Sequence, residues 1–255
     1  AQPLARAHSL WILHGREALE DKALVAALGD SSPRVRAHAI VLAEDRLDRA
    51  VFHPALARLS GDPDPRVRYH VAFSLGTVGT AHRQLPLAQL AMRAPADTHL
   101  RFAVMSPSLG LENKLLQALL RDKAFLAKTG SSAWLSDFAR LAGANPKRTE
   151  AISILRLVLE QKHPSRRQAE LLTALGNGLS RRGQSVLGIL ADQDTPAPLR
   201  NSADQVFRQA VKTMAGSASS AANRVASAQL LGFAPATVAV PALASRLGPG
   251  DPPAL

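Results

Sequence analysis

The sequence predicts an all-α protein, an α-α superhelix built as a solenoid of about six to seven helix pairs. Three observations carry that expectation: a recurring turn motif, an apolar period of about 3.6 residues after it, and the choice of apolar residues. The best copy of the motif reads Gly61-Asp62-Pro63-Asp64-Pro65-Arg66-Val67-Arg68. Thirty-two positions upstream the pattern is Asp30-Ser31-Ser32-Pro33-Arg34-Val35-Arg36. Far downstream it returns as Asp194-Thr195-Pro196-Ala197-Pro198-Leu199-Arg200. Each copy has an acid, then proline, then an aliphatic, with an arginine six places after the acid. Alanine and leucine supply most of the apolar content and aromatics only 4%, which suits packed helices rather than strands.

In chain order, residues 4–14 read as a helix ended by Gly15, and 17–28 as a second ended by Gly29. Asp30 and Ser32 can cap the next helix, to about Glu44, and Pro33 suits its first turn, where a missing N–H costs nothing. Residues 47–59 follow, then the turn at 61–65, then a helix over 66–78 stopped by Gly79. Further helices are expected at 82–92, 98–105, 111–126, 132–141, 149–161, 166–179, 185–191, 199–214, 221–231 and 237–247. No segment alternates with period two over a useful length, so no half-buried strand is expected.

Register supports the repeat. Arg6, Arg36, Arg68 and Arg101 align at intervals of 30, 32 and 33 residues. After Arg66, the positions Val67, Val71, Leu75 and Val78 make one apolar stripe at helical spacing, the face that must be buried. Arg68 flanks that stripe on one side and His70 on the other, both placed to meet neighbouring units. The whole of 1–255 is expected to be one solenoid, regular over 1–142 and more degenerate over 143–255. Leu247-Gly248-Pro249-Gly250-Asp251-Pro252-Pro253 has the form of another inter-helix turn, and Arg6-Ala7-His8 of a second-helix start without its turn. Both suggest a segment cut from a longer chain.

The pattern Asp-x-x-Pro-x-Val-Arg opening the second helix of a pair resembles the HEAT repeat. The resemblance implies a ladder of acid–arginine hydrogen bonds between adjacent units, matched here by Asp30 with Arg36, Asp62 with Arg68, and Asp194 with Arg200. The turn before Arg101 departs from it, with a shortened acid-to-arginine interval, and residues 146–156 keep little of it. Residues 5–13 and 62–76 also look like the HEAT-repeat middle of the PVC-superfamily membrane-bound dehydrogenase and c-type cytochrome proteins. That likeness implies a connector between redox modules in a periplasmic or secreted protein. Without it the cytoplasm is the default setting. None of that family's redox chemistry carries over, because no propeller or haem motif is present.

With no cysteine, disulfides, thiolate metal sites and Cys-x-x-Cys-His haem attachment are excluded within this sequence. No cofactor is expected. His8, His38 and His70 form a column at equivalent positions, but stacked helices lie about 8–10 Å apart and no third ligand is evident, so inter-unit hydrogen bonding is the expected role. There is no Gly-x-Ser-x-Gly elbow, the adjacent pair Asp97 and His99 does not meet on a helix, and Asp62 with Asp64 fits a capped turn better than a calcium loop. Gly176-Asn177-Gly178 reads as a helix irregularity. No enzyme is expected. No apolar run approaches the roughly 20 residues that span a bilayer, and the first residues lack the order of a signal peptide.

Trp11, Val41 and Phe73 align in register, with Tyr69 one turn before Phe73, well away from the buried stripe. They either pack on an adjacent unit or line an apolar strip where a partner docks, since aromatics with arginines anchor protein interfaces. The expected function is a non-catalytic scaffold that binds protein through Trp11, Tyr69, Phe73, Arg36, Arg68 and Arg101. The formal charge of +11 and the pI of about 11.1 keep open an alternative, a nucleic-acid-binding array with a basic concave face resembling the helical-repeat DNA glycosylases.

Overall fold

The computed structural model describes residues 2–145, 147–160, 163–216 and 218–245. Among them are sixteen α-helices and no strand, the all-α class expected. They are α1 (Pro3–Gly15), α2 (Asp21–Leu28), α3 (Pro33–Leu42), α4 (His53–Leu59), α5 (Pro65–Ser74), α6 (Thr80–Arg93), α7 (Thr98–Met105) and α8 (Glu112–Arg121). Then come α9 (Lys123–Leu126), α10 (Ser131–Ala144), α11 (Arg148–Glu160), α12 (Ser165–Ser180), α13 (Val186–Ala191), α14 (Ala197–Ala215), α15 (Ala221–Leu231) and α16 (Ala236–Ala244). The chain divides into two compact units, Ala1–Trp134 and Leu135–Leu255, with the boundary inside α10. The turn expected at 247–253, and the expected helix ends at Gln161 and Leu247, lie outside the described residues.

The first unit is a two-layered stack. α1, α3, α5 and α7 pack side by side in that order, and α2, α4, α6 and α8 do the same in the other layer. The pairs α2–α3, α4–α5 and α6–α7 join the layers, which is an αα-solenoid. The stripe of Val67, Val71, Leu75 and Val78 is at most 2% exposed and faces the interior. Pro33 and Pro65 each start a helix, and Asp64 Oδ1 accepts the Arg66 N–H at 2.8 Å as an N-cap.

Four element boundaries differ from expectation for local reasons. Glu17 takes φ +57°, so α2 starts only at Asp21. In the front half of the helix expected at 47–59 stands a 3-10 turn, Ala50–Phe52, and α4 starts at His53 with Pro54 in its first turn, where a missing N–H costs nothing. α5 tightens into a 3-10 turn, Leu75–Thr77, after Ser74. Residues 111–126 break at Asp122, whose Oδ1 accepts the Phe125 N–H at 2.9 Å and opens α9.

The acid–arginine contacts are staggered by one unit from the pairing expected. Arg6 grips Asp30 with two bonds of 2.7 Å, and Arg36 grips Asp62 with two of 2.8 Å. Arg36 meets only the backbone of its own turn, through the Asp30 carbonyl at 2.8 Å, and Arg68 likewise takes the Asp62 carbonyl at 2.7 Å. The cause is an Asx turn. Asp30 Oδ1 accepts the Ser32 N–H at 2.8 Å and Asp62 Oδ1 the Asp64 N–H at 3.0 Å, which turns each carboxylate towards the preceding arginine. Arg68 has no such partner: Ala94 stands thirty-two residues after Asp62, and Asp97 uses its Oδ1 to cap Leu100 at 2.9 Å. The Nε of Arg68 is buried without a hydrogen bond.

In the second unit the expected pair of Asp194 and Arg200 is corrected. Asp192 accepts the Asp194 N–H at 2.9 Å and its carbonyl takes Arg200 at 3.2 Å, while Asp194 is exposed. Asp192 is therefore the turn acid, eight residues before the arginine. Thr195, buried and bonded to the Ile189 carbonyl at 2.6 Å, pins that turn. α14 packs on α11, α15 and α16, and α12 on α11 and α15. Gly178 is no irregularity of α12: a Cβ there would overlap the Arg140 carbonyl, and one at Gly143 would overlap that of Leu175. The two glycines let the backbones of α10 and α12 touch, a close approach that any side chain would block.

Candidate protein-interaction face

The candidate site lies on the first unit, on the outward side of α1, α3, α5 and α7. Burying Val67, Val71 and Leu75 turns Tyr69 and Phe73 away from the core, because residues two apart on a helix do not share a face. Phe73 is 60% exposed and Trp11 42%, and Tyr69, partly covered, lies 5.5 Å centroid to centroid from Phe73. Trp11 is held in place without being covered. Its Nε1–H donates to His38 Nδ1 at 3.2 Å across α1 and α3, and its ring meets those of His14 and His38 edge-on. Of the two roles expected for these aromatics, packing accounts for part of Trp11 and little of Phe73.

Two open grooves run along this side and share Arg66 and His70. One, of about 500 Å³, is lined by Pro65, Arg66, Tyr69, His70, Phe73, Asp97 and His99. The other, of about 600 Å³, includes Leu4, Arg34, His38, Asp64 and Arg66. Burial, aided by the nearby His38, lowers the pKa of His70 from its ordinary value, with Glu44 acting weakly the other way.

Of the arginines expected to flank the strip, two are committed elsewhere. Arg68 is 8% exposed and cannot present its guanidinium to a partner, and Arg36 is engaged with Asp62 and the Asp30 turn. Arg101 lies over the ring of Phe102 at 5.1 Å. The exposed arginines are Arg34 and Arg66, two residues ahead of the ladder positions, and Phe102, 61% exposed, adds a fourth aromatic. The sequence reading missed all three. Their signal was present in the register, since Arg34 and Arg66 repeat at the interval of Arg36 and Arg68, and Phe102 stands beside Arg101 as Tyr69 stands beside Arg68.

His8, His38 and His70 do lie on successive helices of this layer. Among the described residues no group of three or more histidines and acids is close enough to hold a metal ion. His53 and His82 stack face to face at 3.9 Å on the other layer. None of the described helices is long and apolar enough to cross a membrane.

A repeat solenoid with an exposed aromatic and basic strip is the class that this geometry defines. A family model described as HEAT repeats matches residues 21–106, from α2 to the end of α7, and supports a HEAT-repeat protein. No curated protein and no solved structure matches the chain.

Proposed function

We propose that the chain is a protein-interaction scaffold and that its first unit docks a partner on the strip of Trp11, Tyr69, Phe73 and Phe102. The observation that carries this reading is the exposure of Phe73 in a groove it shares with Arg66, whose guanidinium makes no ion pair among the described residues, because large aromatics left in water next to a free guanidinium are the usual anchors of interfaces. HEAT repeats commonly serve as such scaffolds, which supports it further. A photo-crosslinking residue at position 73, compared with one at the exposed Leu109, tests it in cells that make the protein. Discrete protein adducts at 73 and none at 109 are expected, and equal labelling at both positions contradicts the reading.

The nucleic-acid reading is favoured by the charge of +11 and by the free Arg34 and Arg66. Its signature is duplex binding whose affinity falls steeply with salt. Binding that survives physiological salt would put it first. The narrower role, a connector in a large exported redox protein, rests on the likeness of residues 5–13 and 62–76. A signal peptide and propeller upstream in the gene, with Cys-x-x-Cys-His downstream, would support it, and a gene without them would remove it.

A further inference from the structure

We infer that the segment docked on this strip is an extended acidic peptide whose carboxylates recur at every third residue beside an apolar anchor. The inference rests on the protein-docking reading above and names the chemistry of the partner. Arg34 and Arg66 occupy the same first-turn position in the adjacent helices α3 and α5, both are exposed, and both line one groove. Among the described residues neither guanidinium makes an ion pair, whereas Arg36 and Arg68, two places on, are consumed within the stack. The carboxylates nearby are partly answered. Asp64 caps the Arg66 N–H at 2.8 Å and Asp97 the Leu100 N–H at 2.9 Å, so the partial positive charge of each helix start offsets about half of theirs. His38, His70 and His99 add donors along the same line.

Spacing selects the ligand. Adjacent packed helices stand about 8–10 Å apart, and an extended chain advances about 3.3 Å per residue, so a peptide crossing α3 and α5 sets one residue in three against an arginine. Next to Arg66 the groove of about 500 Å³ between Tyr69, Phe73 and His99 is mainly apolar and roomy enough for one aromatic or aliphatic side chain. A DNA duplex carries a phosphate of each strand about every 3.4 Å along its axis and would leave most of its charges unmatched along this row.

The test is fluorescence anisotropy of the full chain with a labelled nonapeptide bearing glutamates at its first, fourth and seventh positions and phenylalanine at its fifth. Three controls accompany it: the same composition with contiguous glutamates, lysines in place of the glutamates, and a nine-base-pair DNA duplex. The spaced glutamate peptide is expected to bind at least tenfold tighter than each control. The double variant Arg34→Gln/Arg66→Gln, and separately Phe73→Ala, are expected to lose tenfold or more with an unchanged melting curve. No binding at millimolar peptide, equal binding of a control, or indifference to the arginine substitutions would overturn the inference. The crosslink at position 73 separates the two levels: a protein adduct through a non-acidic segment ends this inference and leaves the docking reading, while adducts to nucleic acid alone end both.

Discussion

The guanidinium of Arg36 makes four hydrogen bonds in two directions, two to the Asp62 carboxylate and two to the carbonyls of Asp30 and Ser31. That division sets the rotation of one unit on the next, since the fork fixes both distance and plane. In a double-mutant cycle, Arg36→Ala with Asp62→Ala is expected to show a coupling of about 1.5–3 kcal/mol in chemical denaturation. Arg36→Ala with Asp30→Ala is expected to show far less, because alanine keeps the carbonyl that Arg36 uses. The reverse order would restore the pairing six places apart. Two titrations should weaken the fold on acidification. Hydrogen bonding from Arg6 lowers the Asp30 pKa below its ordinary 3.8, so its contribution is full above that value and is lost as pH falls through the depressed one. Burial lowers His70 below 6.5, so the native state resists a proton that the unfolded chain accepts, and stability declines as pH falls below 6.5. His70→Gln should flatten the melting-temperature slope between pH 7 and 5, and an unaltered slope would show that His70 does not contribute.

At the scale of helices, the α5 stripe and the proline-started turns were legible because burial and capping act within a few residues. The stagger of the ladder was not, because sequence spacing gives the distance along a chain and not the direction in which an Asx turn points its carboxylate. The same limit misplaced the second-unit acid: Asp194 stands six residues before Arg200, yet Asp192 makes the turn. The exposure of Phe73 followed from the burial of Val71 and Leu75, but the loss of Arg68 to the interior needed the position of the next turn. Gly143 and Gly178 were invisible for a similar reason, since their constraint comes from a helix that contacts them across thirty or more residues. Gly178→Ala is expected to destabilise the second unit by about 2 kcal/mol or more, because the opposing atom is backbone and cannot rotate aside. A melting curve indistinguishable from the parent would show that the two helices separate freely.

Across the whole molecule, the charge of +11 is a weak guide to partners, because several arginines serve the stack itself and only some face outward. What matters for function is that each helix of the first-unit layer has one side holding the stack and another left open. Leu75 and Phe73 stand on these two sides of the same chain segment, one fully buried and the other 60% exposed. The most direct measurement is the melting temperature of Leu75→Ala beside that of Phe73→Ala. Leu75→Ala should lower the transition by roughly 5–15 °C through its cavity, while Phe73→Ala should leave it within about 1 °C. If Phe73→Ala falls as far as Leu75→Ala, the aromatic strip belongs to the core and is not free for a partner.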